Sequence, residues 1–176
     1  MDFQVNLTTV PIRYEWLNDL YEQTDQSFCL NRVPVPLNEE FSRRYFHGVQ
    51  SGMNGGLPFR AWEILTDRQS VGKAELTLEE DGKAEVDLIL RRTWTGKGIG
   101  SQVLELLKRE AADWHRCNAI AAYVREDHVI MRHVLEKTGF QSRRRFSADI
   151  VTPDEAAYRV TTAFGREYIL NLYEAA

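Results

Sequence analysis

Three carboxylates and one glycine turn carry most of the chemistry that this 176-residue chain can offer. Glu75, Glu85 and Asp87 fall on two neighbouring stretches, Val71–Glu79 and Lys83–Arg91, which alternate or run apolar as β-strands do. Asp87 stands two positions beyond Glu85, so both leave the same face of a strand about 7 Å apart. Carboxylates held that close oppose one another's ionisation and raise one of the set toward working pH, which a general base requires. The competing reading is a solvated sheet face whose acids pair with Lys73 or Arg91. A few residues on, Thr95-Gly96-Lys97-Gly98-Ile99-Gly100-Ser101 joins a strand to a helix. Glycines admit a ligand close to the backbone, and the first helical turn presents unpaired N–H groups and a positive dipole end. Together they form a cradle for a diphosphate. Walker A is excluded because Ser101 follows Gly100 without a lysine. The dinucleotide fingerprint is excluded because hairpins, not a parallel βαβ unit, precede the turn.

The elements that must hold these groups follow from periodicity. Tyr14, Leu17, Leu20 and Tyr21 recur at helical spacing across Arg13–Thr24. Pro34 and Pro36 force an extended connection, after which Asn38 reads as the N-cap of a helix with Phe41, Tyr45 and Phe46 on its apolar face. Ser51–Pro58, with Gly52, Gly55 and Gly56, reads as a loop. Strands are expected at Phe59–Thr66, Val71–Glu79 and Lys83–Arg91, parted by Asp67-Arg68-Gln69-Ser70 and by a second turn. A two-residue turn at Asp81-Gly82 would place leucines opposite acids. A three-residue turn, Glu80-Asp81-Gly82 with Gly82 left-handed, pairs Leu76 with Val86 and Glu75 with Asp87, and gives one apolar and one acidic face. Next come a helix through Ile99, Val103, Leu106, Leu107, Ala111 and Trp114, and a buried strand at Asn118–Arg125. Asp127 is expected to cap a helix with Met131, Val134, Leu135 and Thr138 inward, and Gly139 to stop it. Strands at Phe140–Val151, Tyr158–Ala163 and Arg166–Tyr173 complete one mixed α/β (α+β) domain over residues 1–176.

The run Leu88-Ile89-Leu90-Arg91-Arg92-Thr93-Trp94-Thr95-Gly96-Lys97-Gly98-Ile99-Gly100 resembles motif A of the GNAT N-acetyltransferase superfamily, with Thr95 where that family has Gln or Arg. Glu136-Lys137-Thr138-Gly139-Phe140 is similar to its recurrent helix end, and the element order matches over most of the chain. The resemblance implies a mostly antiparallel sheet flanked by helices, opened into a V between the third strand and the strand at Ala119–Val124. Acetyl-CoA, the acyl donor, is expected in that V. Its pantetheine would pair with the backbone of Leu88, Ile89 and Leu90, and its diphosphate would meet Thr95, Gly96, Lys97, Gly98, Ile99, Gly100 and Ser101. His128 stands where the family often has Asn, as a contact to pantetheine or pyrophosphate, as a near-neutral acid for the thiolate, or as a solvated first-turn residue. Leu135 stands where the family often has its tyrosine acid, so no role carries over to it.

Acetyl transfer to an amine needs a neutral amine, a polarised thioester and a route for the thiolate. Glu85 lies close to the glutamate base of histone-acetylating relatives, with Asp87 and Glu75 as alternatives. Tyr123 stands where some relatives that acetylate peptide N-termini carry a glutamate, as a proton donor, a tunnel wall or a core aromatic. His115 with Cys117 lacks partners at metal spacing, so no metal is expected. His47 and the Arg143-Arg144-Arg145 run read as surface groups.

Net charge is −4, from 22 basic and 26 acidic residues, which argues against a dedicated nucleic-acid binder. No apolar run nears the roughly 18 residues of a membrane span, no secretory leader is evident, and two cysteines suit a reducing cytoplasm. The expected partner is an amine-bearing acceptor, a small molecule or a protein. The rival class is a non-catalytic acyl-CoA-binding protein of the same fold. Tyr168–Tyr173, apolar on both faces, is expected to lie either inside the monomer or in a symmetric homodimer, the dimer being preferred.

Overall fold

The acidic and apolar faces expected of residues 75–90 are built by a hairpin whose register follows from its turn. In the computed structural model, which describes residues 3–29, 32–55, 58–148 and 168–175 (the backbone alone at 144–148 and 168–173), β3 is Gln69–Leu78 and β4 is Lys83–Leu90. Leu76 pairs with Val86 and Glu75 with Asp87, as the three-residue turn requires. Gly82 takes a φ of 84°, a left-handed conformation that costs a residue with a Cβ about 1–2 kcal/mol.

Around this hairpin the described residues form a sheet ordered β1-β2-β3-β4-β5-β7-β6, with β1 Val5–Thr9, β2 Phe59–Thr66, β5 Ala119–Arg125, β6 Gln141–Ala148 and β7 Tyr168–Ala175. All neighbours are antiparallel except β4 and β5. Helices α1 (Tyr14–Glu22) and α2 (Glu39–Met53) cover one face; α3 (Ile99–Ala112) and α4 (Val129–Lys137) cover the other. Leu76, Leu104, Leu107 and Leu135 are fully buried in the α3–α4 layer, and Leu17, Leu20 and Val49 are buried in the α1–α2 layer. Each such leucine contributes about 1.5–3 kcal/mol of transfer free energy. Asn38 caps α2 as expected, its Oδ1 accepting the Glu40 N–H at 2.7 Å. No described helix is long and apolar enough to cross a membrane.

Several boundaries differ from the sequence reading. Strand β1 was not expected; only part of its short edge segment meets the core. Ser51, Gly52 and Met53 belong to α2 rather than to a loop, because Gly52 packs directly on the Phe59 backbone, where a Cβ would come within 1.9 Å of the carbonyl oxygen. The turn between β2 and β3 is only Asp67-Arg68, both with positive φ, so Gln69 and Ser70 are strand. Asp127 does not cap α4. Its carboxylate is drawn instead to the Arg125 guanidinium, at 2.7 and 3.0 Å, and His128 takes the cap position without a side-chain bond. Tyr158–Ala163 lies outside the described residues. Strand β7 runs between β5 and β6, paired on both edges, so its backbone does not form an open edge.

Candidate active site

The parallel β4–β5 ladder lasts for three pairs, Lys83↔Ala119 to Glu85↔Ala121, although β4 continues to Leu90 and β5 to Arg125. Beyond Glu85 the two strands part, which is the V that the resemblance implied. The β3–β4 ladder fixes which backbone groups face it. Arg91 donates to Val71 O at 2.8 Å and Lys83 O accepts from Glu79 N at 2.8 Å, so odd-numbered β4 residues direct their groups to β3. By antiparallel alternation, Val86, Leu88 and Leu90 turn their N–H and C=O groups toward the V. Ile89 turns its own toward Lys73, which leaves its backbone no direct part in the opening.

The connection after α1 closes the wide end of the V. Thr24 forms a bridge with Arg91, and Arg92 N donates to Gln23 O at 2.6 Å. Across the gap, the Arg125 guanidinium donates to Ser27 O at 2.9 Å and lies 5.6 Å from the Phe28 ring. Phe28 stacks on His128 at 4.6 Å, with 13° between the rings. Burial lowers the His128 pKa against the opposing charge of Asp127. His128 is thus engaged by an aromatic neighbour rather than solvated. The Arg125 and Phe28 contacts were missed from the sequence, because they join positions nearly a hundred residues apart.

At the N-terminus of α3, Gly96 and Gly98 have φ of 72° and 78°. A Cβ on either would meet no atom within 4 Å, so the turn leaves open space beside a bare backbone. Gly98 caps α3 without any side-chain acceptor, and the first-turn N–H groups at Ile99, Gly100 and Ser101 fall where intrahelical partners end. The Thr95 hydroxyl donates to Arg92 O at 2.9 Å and Lys97 Nζ lies 5.8 Å from the Trp94 ring. An anion here would be met by backbone amides and one lysine. The residues present fit a diphosphate.

The carboxylates lie on the α1–α2 face but in unlike surroundings. Glu75 is buried and paired with Lys73, itself 2% exposed. Burial raises the Glu75 pKa, with the Lys73 charge working the other way. For Lys73, burial, the largest single effect, favours the neutral amine, but the charge of Glu75 together with Tyr21, Tyr45 and Asp87 outweighs it and keeps the ammonium protonated. The acidic face is therefore neither wholly solvated nor wholly free: Lys73 does pair with an acid, inside the protein, while Arg91 pairs with Asp19. Glu85 is half-buried at the last β4–β5 pair. Asp87 is exposed just beyond it, with no hydrogen bond or ion pair among the described residues. Tyr123, opposite on β5, is 37% exposed and so is not a core aromatic. Burial first and then the charge of Glu85 raise its pKa, keeping the phenol protonated. Leu135 is fully buried core. A separate groove of about 440 Å³ along the α1–α2 connection, lined by Asp25, Arg32 and Val35, includes none of the three carboxylates, Tyr123 or the glycine turn.

Comparison with known proteins matches this geometry. A family model described as an acetyltransferase (GNAT) domain matches residues 6–141. No curated protein matches the chain in sequence. Among solved structures, the ribosomal L7/L12 alpha-N-protein acetyltransferase RimL in complex with coenzyme A superposes with a TM-score of 0.73 at 16% identity, covering 97% of this chain and 93% of that one. The microcin C7 self-immunity acetyltransferase MccE, in complex with acetyl-CoA and AMP, gives 0.75 at 15% identity, covering 98% and 92%. The spermidine N-acetyltransferase of Vibrio cholerae, in complex with CoA and spermine, gives 0.71 at 14% identity, covering 98% and 95%. At such identities the likeness is one of fold.

Proposed function

Since the chain belongs to the GNAT acetyltransferase family, we propose that it transfers an acetyl group from acetyl-CoA to an amine on a small molecule or a protein, by direct attack within a ternary complex. The observation that carries this reading is the unpaired β4 edge beyond Glu85, with the glycine turn after its far end and the exposed Asp87 carboxylate on its α1–α2 side.

Acetyl-CoA, when bound, supplies an activated thioester. Leu88 and Leu90 would hold its pantetheine as an added strand holds to a sheet edge. Gly96 to Ser101 would hold the diphosphate through backbone N–H groups, assisted by the dipole of α3. An amine bound from the α1–α2 side loses one proton as its nitrogen bonds to carbon. Asp87 is the better placed of the carboxylates to take that proton, because it stands past the last β4–β5 pair and no other charged group holds it. Glu75 is held by Lys73, and Glu85 lies within the closed part of the ladder. Tyr123, kept protonated beside Glu85, is the proton source for the departing thiolate.

The test is thiol release from acetyl-CoA measured against a panel of amines, for the wild-type protein, Asp87→Asn and Glu85→Gln. Turnover lost with Asp87→Asn and retained with Glu85→Gln supports the assignment. The reverse pattern moves the base to Glu85. CoA binding without turnover on any amine leaves a binding protein of this fold.

A further inference from the structure

A lysine that is 2% exposed is an expensive feature for a small domain, and Lys73 has no solvent route for its charge. Its Nζ is paired with Glu75 and lies 5.3 Å from the Tyr21 ring and 4.6 Å from the Tyr45 ring. The Tyr45 hydroxyl is buried beside the pair. Two apolar side chains of similar size would serve the packing at least as well. The location of the pair is what distinguishes it. Glu75 is the direct cross-strand partner of Asp87, and Lys73 is the partner of Ile89, two positions along. The charged and titratable groups that face Asp87 are therefore Glu75 and Lys73 from β3, Glu85 on its own strand, Tyr21 from α1 with Tyr45 of α2 behind it, and Cys29 from the connection between those helices.

We infer that Lys73 and Glu75 are positioning residues that set the basicity of the Asp87 carboxylate from the neighbouring strand on the same sheet face. This rests on Asp87 being the base. The two charges act on Asp87 with opposite sign. Without Glu75 the Lys73 ammonium pulls on Asp87, favouring its charged form and drawing it away from the gap. Without Lys73, Glu75 and Asp87 face each other as two acids that oppose a second ionisation. A pair that only stabilises the fold would change stability in both cases and leave the pH dependence alone.

The experiment is the pH profile of kcat/KM for Glu75→Gln, Lys73→Gln and the double variant, each assayed with saturating acetyl-CoA. The acidic limb should move down by about half a pH unit or more in Glu75→Gln, up by a similar amount in Lys73→Gln, and return toward the wild-type position in the double variant. Movement in the same direction in both single variants, or no movement in either, overturns the inference. A second measurement needs neither single variant to fold. In the wild-type protein, the ¹³C signal of the Glu75 carboxyl should show an inflection at the pH of the acidic limb, and Asp87→Asn, a surface change, should remove it. No such inflection in the wild type also overturns the inference. Should Asp87→Asn keep full turnover, the assignment of Asp87 as the base is what fails, and that result is read independently of the carboxyl signal.

Discussion

Glu75 and Asp87 stand directly opposite each other across the β3–β4 ladder, yet one is buried against Lys73 and the other is exposed at the mouth of the V. Two acids at one register position are thus given unlike surroundings, because α1 and α2 cover β3 more fully than the parting edge of β4.

If Asp87 takes the proton of the amine, Asp87→Asn should lower kcat by roughly 10²- to 10⁴-fold with little change in CoA affinity. Steady-state rates together with calorimetric CoA titration check this. A variant within a few-fold of wild type would remove Asp87 from the chemistry.

Gly98→Val should abolish CoA binding while the protein stays folded. The new side chain meets no protein atom within 4 Å, so it would occupy the space beside the backbone where the diphosphate is expected. The left-handed φ of 78° adds about 1–2 kcal/mol of strain, which a domain of this size tolerates. Calorimetry and circular dichroism on the same sample separate the two effects; unaltered CoA affinity in the folded variant contradicts the cradle.

Stability should decline at alkaline pH. Burial pushes the Tyr21 phenol up to about 12 from 10.0, so between these values the unfolded chain has released a proton that the folded one retains. The Tyr21 contribution is then constant below pH 10 and falls as pH rises toward 12, by up to about 1.4 kcal/mol per pH unit. Cys29, pushed up from 9.0 to about 11 by burial, begins the decline near pH 9. Urea midpoints measured from pH 8 to 11 should show this fall, and Tyr21→Phe should flatten its upper part. Midpoints that rise over that range would contradict the burial of these groups.

Loss of the α2 cap gives a stability prediction remote from the site. Asn38→Ala removes the acceptor of the Glu40 N–H and should cost about 1 kcal/mol, a drop in Tm of roughly 2–4 °C. Acetyl-CoA turnover at 25 °C should be unchanged. A Tm equal to that of wild type would mean that solvent satisfies the donor equally well.

The hairpin of β3 and β4 was legible in the sequence because side chains alternate with a period of two. A slip of one residue would have set Leu76 and Leu78 opposite acids, and Gly82 supplies the left-handed position that the longer turn needs. The glycine turn before α3 was legible for a similar local reason, since φ values of 72° and 78° fall where glycine is favoured. Strand β1 was missed although Phe3, Val5 and Leu7 alternate with Gln4, Asn6 and Thr8, a period of two that marks a strand; what no local pattern held was its pairing with β2, more than fifty positions away.

The sequence by itself determined the local parts of this protein: the helices, the hairpin register, the glycine turn and the presence of three acids on one face. Each follows from backbone conformation and near-neighbour periodicity. The tertiary structure alone decided which acid is open. Nothing in the order Lys73, Glu75, Asp87 distinguishes a solvated face from a buried pair; the difference comes from Tyr21 and Tyr45, brought over β3 by two separate helices. It alone also placed β7 between β5 and β6 and ended the β4–β5 ladder after Glu85. Strand order and the parting of two strands depend on contacts between distant segments, whose closure no local pattern encodes.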